Sequence, residues 1–520
     1  DKAESRGLGD VYKRQDKDQI MDELKRDTSA DSSVDSSTIP DRQVQQVNNR
    51  PSNKRLFEMA LTDEEATALM NDSRVGGVNE PIEWSDEFLD TEQSVLNTNY
   101  GWQRDPTGSG TGRDRDNWGL LRHIEATNVW GSNVTDKRVN DVYPYHLDGT
   151  GVDFINQEGG MVRADHQQWY DSQGVTRYQQ FQWNTLPNCS GMGTTSYSGS
   201  SGHPTHCAGT VAGKDYGWAK GAKVYSLSLL QYGQSYWFDA IKEFHKAKPI
   251  DPTTGVRRPT VVNASWGYKA SFTNISNIYF RGSYTGSSSK SRNYGMIGDI
   301  GNRFNAQLYS LMAEVEEMQD EGVHYFKSAG NQQQKLCYSD DVDYNNHILR
   351  TSNIGGIPAG QPVYYNRGAG NIGPDTVVCG NIDSALYNGG EATTPSSDKG
   401  PRVDVWAAGT DIVSSYNSNS TDKFNLTGTS MSTPQVCGMS ALILQANPGM
   451  TPAQLRAWWH NNAKTGLLHQ GSTNESDAAT FFSSDRSLMN GPNRIAFFPF
   501  SGHRPVTISG GVSITQGGFN

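Results

Sequence analysis

The sequence predicts an α/β protein: a doubly wound, mainly parallel sheet with helices on both faces, preceded by a small α+β module. Three observations predict it. From about residue 117 onward, short apolar runs alternate with helical patterns, the texture of strand and crossover helix in a parallel sheet. The 520 residues exceed what one hydrophobic core usually supports, so a large domain with a smaller appendage is expected. The hydrophobic fraction is only 34%, but 12 Trp, 23 Tyr and 17 Phe supply a sizeable core and argue against global disorder.

Residues 1–53 are charged and polar with few large apolar side chains, and are expected to be a disordered leader. Order is expected to begin at "RLFEMALTDEEATALMNDSRVGGVNEP". Residues 55 to 61 suit a strand, Thr62 with Glu65 makes a capping box, and Ala66, Leu69 and Met70 form a helical stripe. The run "RVGGVNE" suggests a second strand, and together these define a small module over 54–95. Residues 96–116 are a linker, part of a polar, Gly-rich run from Asp86 to Asp116 that holds the expected cleavage site. The main domain is set at 117–500, with a tail at 501–520.

Within the main domain, "GVDFINQ", "AKVYSLSLL", "TVVNASWG", "VHYFKSA" and "RVDVWAAG" are the expected strands. Helices are expected after His203, near 235–246, 304–321 and 431–445, and at 452–463, where Thr451, Pro452 and Gln454 form a cap. Two segments, 190–202 and the Ser/Gly/Tyr-rich 269–303, are too irregular for elements and are expected to be surface insertions. In a doubly wound sheet the functional site lies at the carboxyl ends of the strands.

Charge excludes one class of partner. A formal net charge of -11, with no Lys/Arg-rich block against it, repels a phosphate backbone, so nucleic acid is not expected. No run of 18 apolar residues is present to span a membrane. The five cysteines are odd in number and irregular in spacing, which leaves no dense disulfide framework and no zinc pattern. Cys207 and Cys437, set among small residues, are expected to pack as small hydrophobes.

Four short stretches carry chemistry. In "FNLTGTSMSTPQVCGMSALIL", Gly428 and Thr429 allow a close approach and Ser430 opens an apolar helix, with Pro434 expected in its first turn. A serine there lies beside free backbone N–H groups and the positive end of the helix dipole, although alone it reads more readily as a plain N-cap. In "GHPTHCAGTVAG", His203 starts a helix of small residues, and alone it is an ordinary histidine. In "FKSAGNQQQ", Asn331 follows an apolar strand and a glycine, a place that also suits a turn. In "GTGVDFINQEGGMVRADH", Glu158 ends an apolar strand before Gly159 and Gly160.

Taken together, the order Glu158, His203, Asn331, Ser430 in an α/β chain resembles the subtilisin-like serine peptidases, and "GTSMSTPQV" is close to that family's serine signature. The resemblance spans roughly residues 115 to 465. It implies a serine endopeptidase acting on polypeptides, with Ser430 as nucleophile, His203 as general base and Asn331 in the oxyanion hole. "NASWGY" resembles the strand that pairs with substrate. By that resemblance Ser265, Trp266 and Gly267, with Ser328, Ala329 and Gly330, wall the substrate pocket; Gly330 and Ala329 leave room for a side chain, Trp266 and Tyr268 are bulky and neither wall has a carboxylate, so large apolar or aromatic residues are expected before the cut. Residues 54–95 look like the end of an inhibitory propeptide, making the chain's own N-terminal segment its inhibitor. No cofactor is required and no metal is assigned to the site. Calcium accompanies the family as a structural ion, but no Asp/Asn run here has the spacing of a calcium loop. The family's habits imply a secreted or virion-associated protein, with no signal in the sequence to decide the compartment.

Two positions depart from the family pattern. Pro204 replaces the glycine after the histidine, a change a first helical turn tolerates. Glu158 stands where an aspartate is usual. The acid must accept a hydrogen bond from the imidazole, fix its tautomer and stabilise the imidazolium, and glutamate does this if the backbone retreats by about one methylene. Asp153 and Asp165 are the other nearby acids. A related group of peptidases works with Ser, Glu and Asp in acid, but its glutamate occupies the place of His203 here, so an intact His203 points to the neutral-pH mechanism. A catalytically silent fold kept for peptide docking is the alternative. An esterase is excluded by the lack of a G-x-S-x-G elbow.

Overall fold

Residues 14–48, most of the expected disordered leader, are folded. The structure is a computed structural model and describes residues 14–48, 51–78, 89–91, 117–124, 147–171, 173–299, 301–354, 357–384, 386–388, 390–469 and 486–498. Helix α1 (Arg14–Lys25) places Ile20 and Leu24 on one face, packed into a small core with Ile39, Val44, Leu69 and Val75. Two apolar residues among many charges are a weak stripe in isolation. They are buried here because the rest of the core comes from residues up to 55 positions away. Strand β1 (Gln46–Asn48) pairs antiparallel with β2 (Glu58–Met59). Helix α2 (Asp63–Leu69) begins with the expected capping box: Glu65 N–H donates to Thr62 Oγ1 at 3.3 Å and Thr62 N–H donates to Glu65 Oε2 at 2.8 Å. No strand forms over 74–78, and the remainder of "RVGGVNE" lies outside the described residues. So do the 96–116 linker with its expected cleavage site and the 501–520 tail.

Strand β3 (Leu89–Thr91) is followed by helix α3 (Trp118–Arg122), which anchors the start of the main domain. Trp118 Nε1 donates to Thr410 O at 2.7 Å, and the buried Arg122 guanidinium pairs with Glu391. Then come β4 (Asp153–Glu158), α4 (Gly202–Ala212), β5 (Lys223–Ser228), α5 (Gln234–Ala247), β6 (Thr260–Ala264), β7 (Trp266–Ser271), β8 (Ile275–Phe280), β9 (Ser283–Tyr284) and β10 (Arg303–Asn305). The second half holds α6 (Tyr309–Asp320), β11 (His324–Ser328), β12 (His347–Arg350), β13 (Val363–Tyr364), β14 (Val377–Ile382), β15 (Val405–Ala408), β16 (Ile412–Ser415) and β17 (Lys423–Leu426). It closes with α7 (Thr429–Ala446), α8 (Pro452–Asn462), β18 (Lys464–Thr465) and β19 (Arg494–Ile495).

The central sheet runs β5-β4-β6-β11-β14-β15-β19-β18, parallel throughout except for the β18–β19 pair. Neighbouring residues on each strand enter opposite cores. Ile155 and Val262 pack on the α5 and α6 side, and Phe154 and Val261 on the side of α4, α7 and α8. Burial on both faces explains why these strands read as continuous apolar runs. From β4 the chain passes to β5 on one side and then to β6 on the other, which places a topological switch point at the carboxyl end of β4.

Three expectations change. The helix expected from 304 begins at Tyr309, because Arg303–Asn305 pairs as a strand with β7. Strand β14, "VVCGNI", escaped notice, yet it fills the middle of the sheet between β11 and β15. The segment 269–303 contains β8 and β9 of a four-stranded sheet, and β8 is held through Ile278 against Ile348 of β12, a partner 70 residues further on.

The N-terminal module docks on α6. Asn53 Nδ2 donates to Glu314 Oε2 at 3.1 Å, Lys54 Nζ lies 3.2 Å from Glu321, and the Arg55 guanidinium lies within 3.3 Å of Glu316, Glu317 and Asp320. Toward the end of the module, β3 pairs antiparallel with β7, Thr91 opposite Trp266 and Leu89 opposite Tyr268.

Candidate active site

Glu158 is the last residue of β4, and Ser265 follows the last residue of the adjacent β6, so both lie at the switch point. His203 and Ser430 are each the second residue of a helix, α4 and α7, and these two helices pack together. A small residue permits the close approach: a side chain on Gly438 of α7 would meet the Val211 carbonyl of α4, while one on Gly209 of α4 would strike Ser414 and Ser415 of β16.

The fold gathers the acid and the base. Glu158 Oε2 lies 3.4 Å from His203 Nδ1. Glu158 Oε1 accepts Ser265 N–H at 2.8 Å and Asn263 Nδ2 at 3.2 Å, whereas Oε2 makes no hydrogen bond and lies within ion-pair distance of His203 Nδ1. One carboxylate oxygen is thus fixed by the sheet and the other is directed at the imidazole. Of the other acids, Asp153 is bonded to Lys248 and Arg258 at the opposite end of β4, and Asp165 is paired with Arg163. The second histidine of the motif is also structural: His206 Nε2 donates to Ile412 O at 2.9 Å, and burial pushes its pKa down to about 3.

Ser430 Oγ donates to Ser265 O at 3.3 Å, and Ser265 Oγ donates to Ser430 O at 3.1 Å, so Ser265 bridges acid and serine. Pro434 does not lie in the first turn as expected but inside α7. Lacking an N–H, it leaves the carbonyl of Ser430, four residues earlier, without its helical donor. That carbonyl accepts instead from Ser265 Oγ and from Cys207 Sγ, the latter at 3.5 Å. Cys207 Sγ is also 3.9 Å from His203 Nε2.

Asn331 follows Gly330 at the carboxyl end of β11. Its Oδ1 accepts Thr429 N–H at 3.0 Å and Thr429 Oγ1 at 3.2 Å, which turns the amide's N–H end away from Thr429. The amide therefore abuts the residue preceding Ser430.

A buried acid, histidine and serine, with an asparagine beside the serine, is an arrangement suited to acyl transfer. The model of the subtilase family (peptidase S8) matches residues 131–487, which include all four residues. The chain belongs to the subtilase family. Cerevisin of Saccharomyces cerevisiae is 25% identical over 267 residues, covering 49% of this chain and 32% of cerevisin. Alkaline serine exoprotease A of Vibrio alginolyticus is 24% identical over 353 residues, covering 67% of this chain and 49% of that protein. The chain thus spans less than half the length of either relative. A cold adapted subtilisin-like serine proteinase of known structure aligns with a TM-score of 0.44 at 20% identity, over 74% of this chain and 98% of that one.

In this subtilase several expected pocket residues face elsewhere. The Trp266 side chain packs edge-on against Trp237 in the core, 5.8 Å between ring centroids, and Tyr268 is also buried there. Only their backbone borders β3, together with that of Gly267. An apolar preference based on those two rings therefore loses its support. Ala329 is packed in a core with Cys207 and Leu336, and the Ser328 hydroxyl accepts from Lys327 Nζ. The space beside Gly330, expected to be open and without a carboxylate, holds Asn305 Nδ2 and Asp398 Oδ2 where a Cβ would be. Asn263 and Asp398 also belong to the site, through Glu158 and the Asn331 loop respectively. Asn263 lies in the quoted "NASWGY", but no local pattern reveals that its side chain crosses to Glu158.

The site's electrostatics favour a charged imidazole. Burial lowers the affinity of His203 for a proton, but the Cys207 sulfur and then the Glu158 carboxylate beside it outweigh burial and hold the pKa well above the usual histidine value. Burial pushes the Cys207 thiol up. All five cysteines are free and buried. Among the described residues, the only group with metal-ligand spacing is Glu158, His203 and Cys207, with ligand atoms within 4.8 Å of one another. A soft metal held there would take the imidazole needed as base. No helix among the described residues is long and apolar enough to cross a membrane.

Proposed function

We propose that the chain is the precursor of a serine endopeptidase. Ser430 Oγ attacks the scissile carbonyl as His203 Nε2 takes its proton, with Glu158 holding Nδ1–H and stabilising the imidazolium. The oxyanion is bound by Asn331 Nδ2 and the N–H of Ser430 at the start of α7. His203 then protonates the leaving amine, and water, activated by the same histidine, cleaves the acyl-enzyme and restores Ser430. The net reaction consumes one water per peptide bond. The single observation that carries this reading is the Glu158 carboxylate, one oxygen fixed by Ser265 and Asn263 and the other facing only His203 Nδ1.

The N-terminal module is proposed to be the inhibitor of this peptidase. Its support is the docking of residues 53–55 on α6 and the pairing of β3 along β7 beside the site. Cleavage between about residues 85 and 116 would then release it. The test is the mass of the purified chain. The wild type should lose an N-terminal piece ending in that window and Ser430→Ala should remain intact. Identical processing of both would refute self-cleavage.

A further inference from the structure

The loop carrying Asn331 is gripped on both sides by one residue distant in sequence. The backbone N–H of Asp398 donates to Gly330 O at 2.7 Å, just before Asn331. Its Oδ1 accepts the N–H groups of Gln332 and Gln334, each at 2.8 Å, just after it. Its Oδ2 accepts Asn305 Nδ2 at 2.9 Å. Asn305 in turn donates to Ala329 O at 3.2 Å and Gln332 Oε1 at 3.0 Å, and Gln332 Oε1 also accepts Asn331 N–H at 3.0 Å.

Backbone strain fits the same picture. Gly330 has φ +121, a conformation that favours glycine, and the Asn305 and Asp398 side chains fill the place of its absent Cβ. Asp398 is fully buried, and burying a carboxylate is unfavourable unless donors replace its water. Here three N–H groups do so, in charge-assisted bonds of the stronger kind. A turn needing only closure could use neutral acceptors, whereas Asp398 holds the chain on both sides of Asn331, Gly330 O through its backbone N–H and the N–H groups of Gln332 and Gln334 through its carboxylate.

We propose that Asp398 is a positioning residue for transition-state stabilisation. It fixes the backbone of Asn331, while Thr429 fixes the rotation of the Asn331 amide through Oδ1. The inference rests on the reading of Asn331 as an oxyanion donor. A displaced donor weakens binding of the transition state more than of the substrate, so the loss belongs in kcat and not in KM.

The experiment compares Asn331→Ala, Asp398→Asn and the double variant on one peptide substrate, with thermal unfolding recorded for each. Asp398→Asn keeps the shape but puts an N–H2 where an acceptor stood. It should lower kcat by about 10- to 100-fold, within the roughly 10²- to 10³-fold expected for losing the donor itself, with KM changed by less than about twofold. The double variant should be no slower than Asn331→Ala alone. A slow Asn331→Ala combined with losses that multiply, or with a normal kcat in Asp398→Asn, overturns the positioning role alone. A normal kcat in Asn331→Ala overturns the oxyanion reading and this inference with it. If Asp398→Asn does not fold, Asn305→Ala, which removes the Oδ2 partner, should show a smaller kcat loss that vanishes in the Asn331→Ala background. A loss that persists there is the contrary result.

Discussion

Glu158 Oε2 lies 3.4 Å from His203 Nδ1 while Oε1 of the same carboxylate is held by the backbone N–H of Ser265. The acid at the end of β4 is thus pinned at its carboxylate. Glu158→Gln should lower kcat by about 10⁴-fold, because the amide favours the wrong imidazole tautomer. Glu158→Asp should lose about 10²-fold, since its carboxylate falls roughly 1 Å short of the imidazole. Steady-state kinetics check both, and an Asp variant as fast as the wild type would show that the backbone has not adapted to glutamate.

His203 must be neutral to act as base, and its pKa is held well above the ordinary histidine value. Activity should therefore rise with pH through a limb lying above about 6.5. Glu158→Gln removes one of the two neighbours, Cys207 and Glu158, that raise the pKa against burial, so the limb should shift toward acid. The linked stability has the opposite dependence: it is fully present below about 6.5 and is lost as pH rises through the folded-state value. The kcat/KM profiles of the two proteins decide this. An acid limb unmoved by Glu158→Gln would detach Glu158 from the titration.

Arg55 meets Glu316, Glu317 and Asp320 on α6. Arg55→Glu places like charges in contact and should weaken retention of the cleaved N-terminal piece by on the order of tenfold, with the effect shrinking at high salt. Inhibition by the released piece, titrated against the peptidase, measures it. Unchanged inhibition would move the docking energy elsewhere.

Asp404 is buried among Arg402, Arg456 and His460. Burial alone would raise its pKa, but these partners hold it far below the usual carboxylate range. A depressed pKa contributes stability that is present above about 3.9 and lost as pH falls through the folded-state value. Asp404→Asn should cost about 3–5 kcal/mol at neutral pH, because it leaves buried cations uncompensated. It should also flatten the acid limb of the stability curve. Denaturant titrations across pH provide the test, and a loss of the same size at every acid pH would contradict it.

Local pattern revealed the elements whose signals are local. The Thr62 and Thr451 caps, the apolar strands of the central sheet and the two helix starts at His203 and Ser430 are all visible within a few residues. What stayed hidden depends on distant partners. Helix α1 has too few apolar residues to declare itself without Leu69 and Val75. Strand β8 needs β12, and the inward turn of Trp266 needs Trp237. Asp398 lies in a polar stretch, "PSSDKGP", which reads as a turn until its carboxylate is seen against the Asn331 loop.

The central claim is that Ser430 is a nucleophile activated by His203 and Glu158. A fluorophosphonate probe incubated with the full-length chain and mapped by mass spectrometry tests it most directly. The account predicts one covalent adduct, on Ser430, at a rate strongly reduced in Glu158→Gln and absent in Ser430→Ala. No adduct in the wild type, or one on another residue, would contradict it.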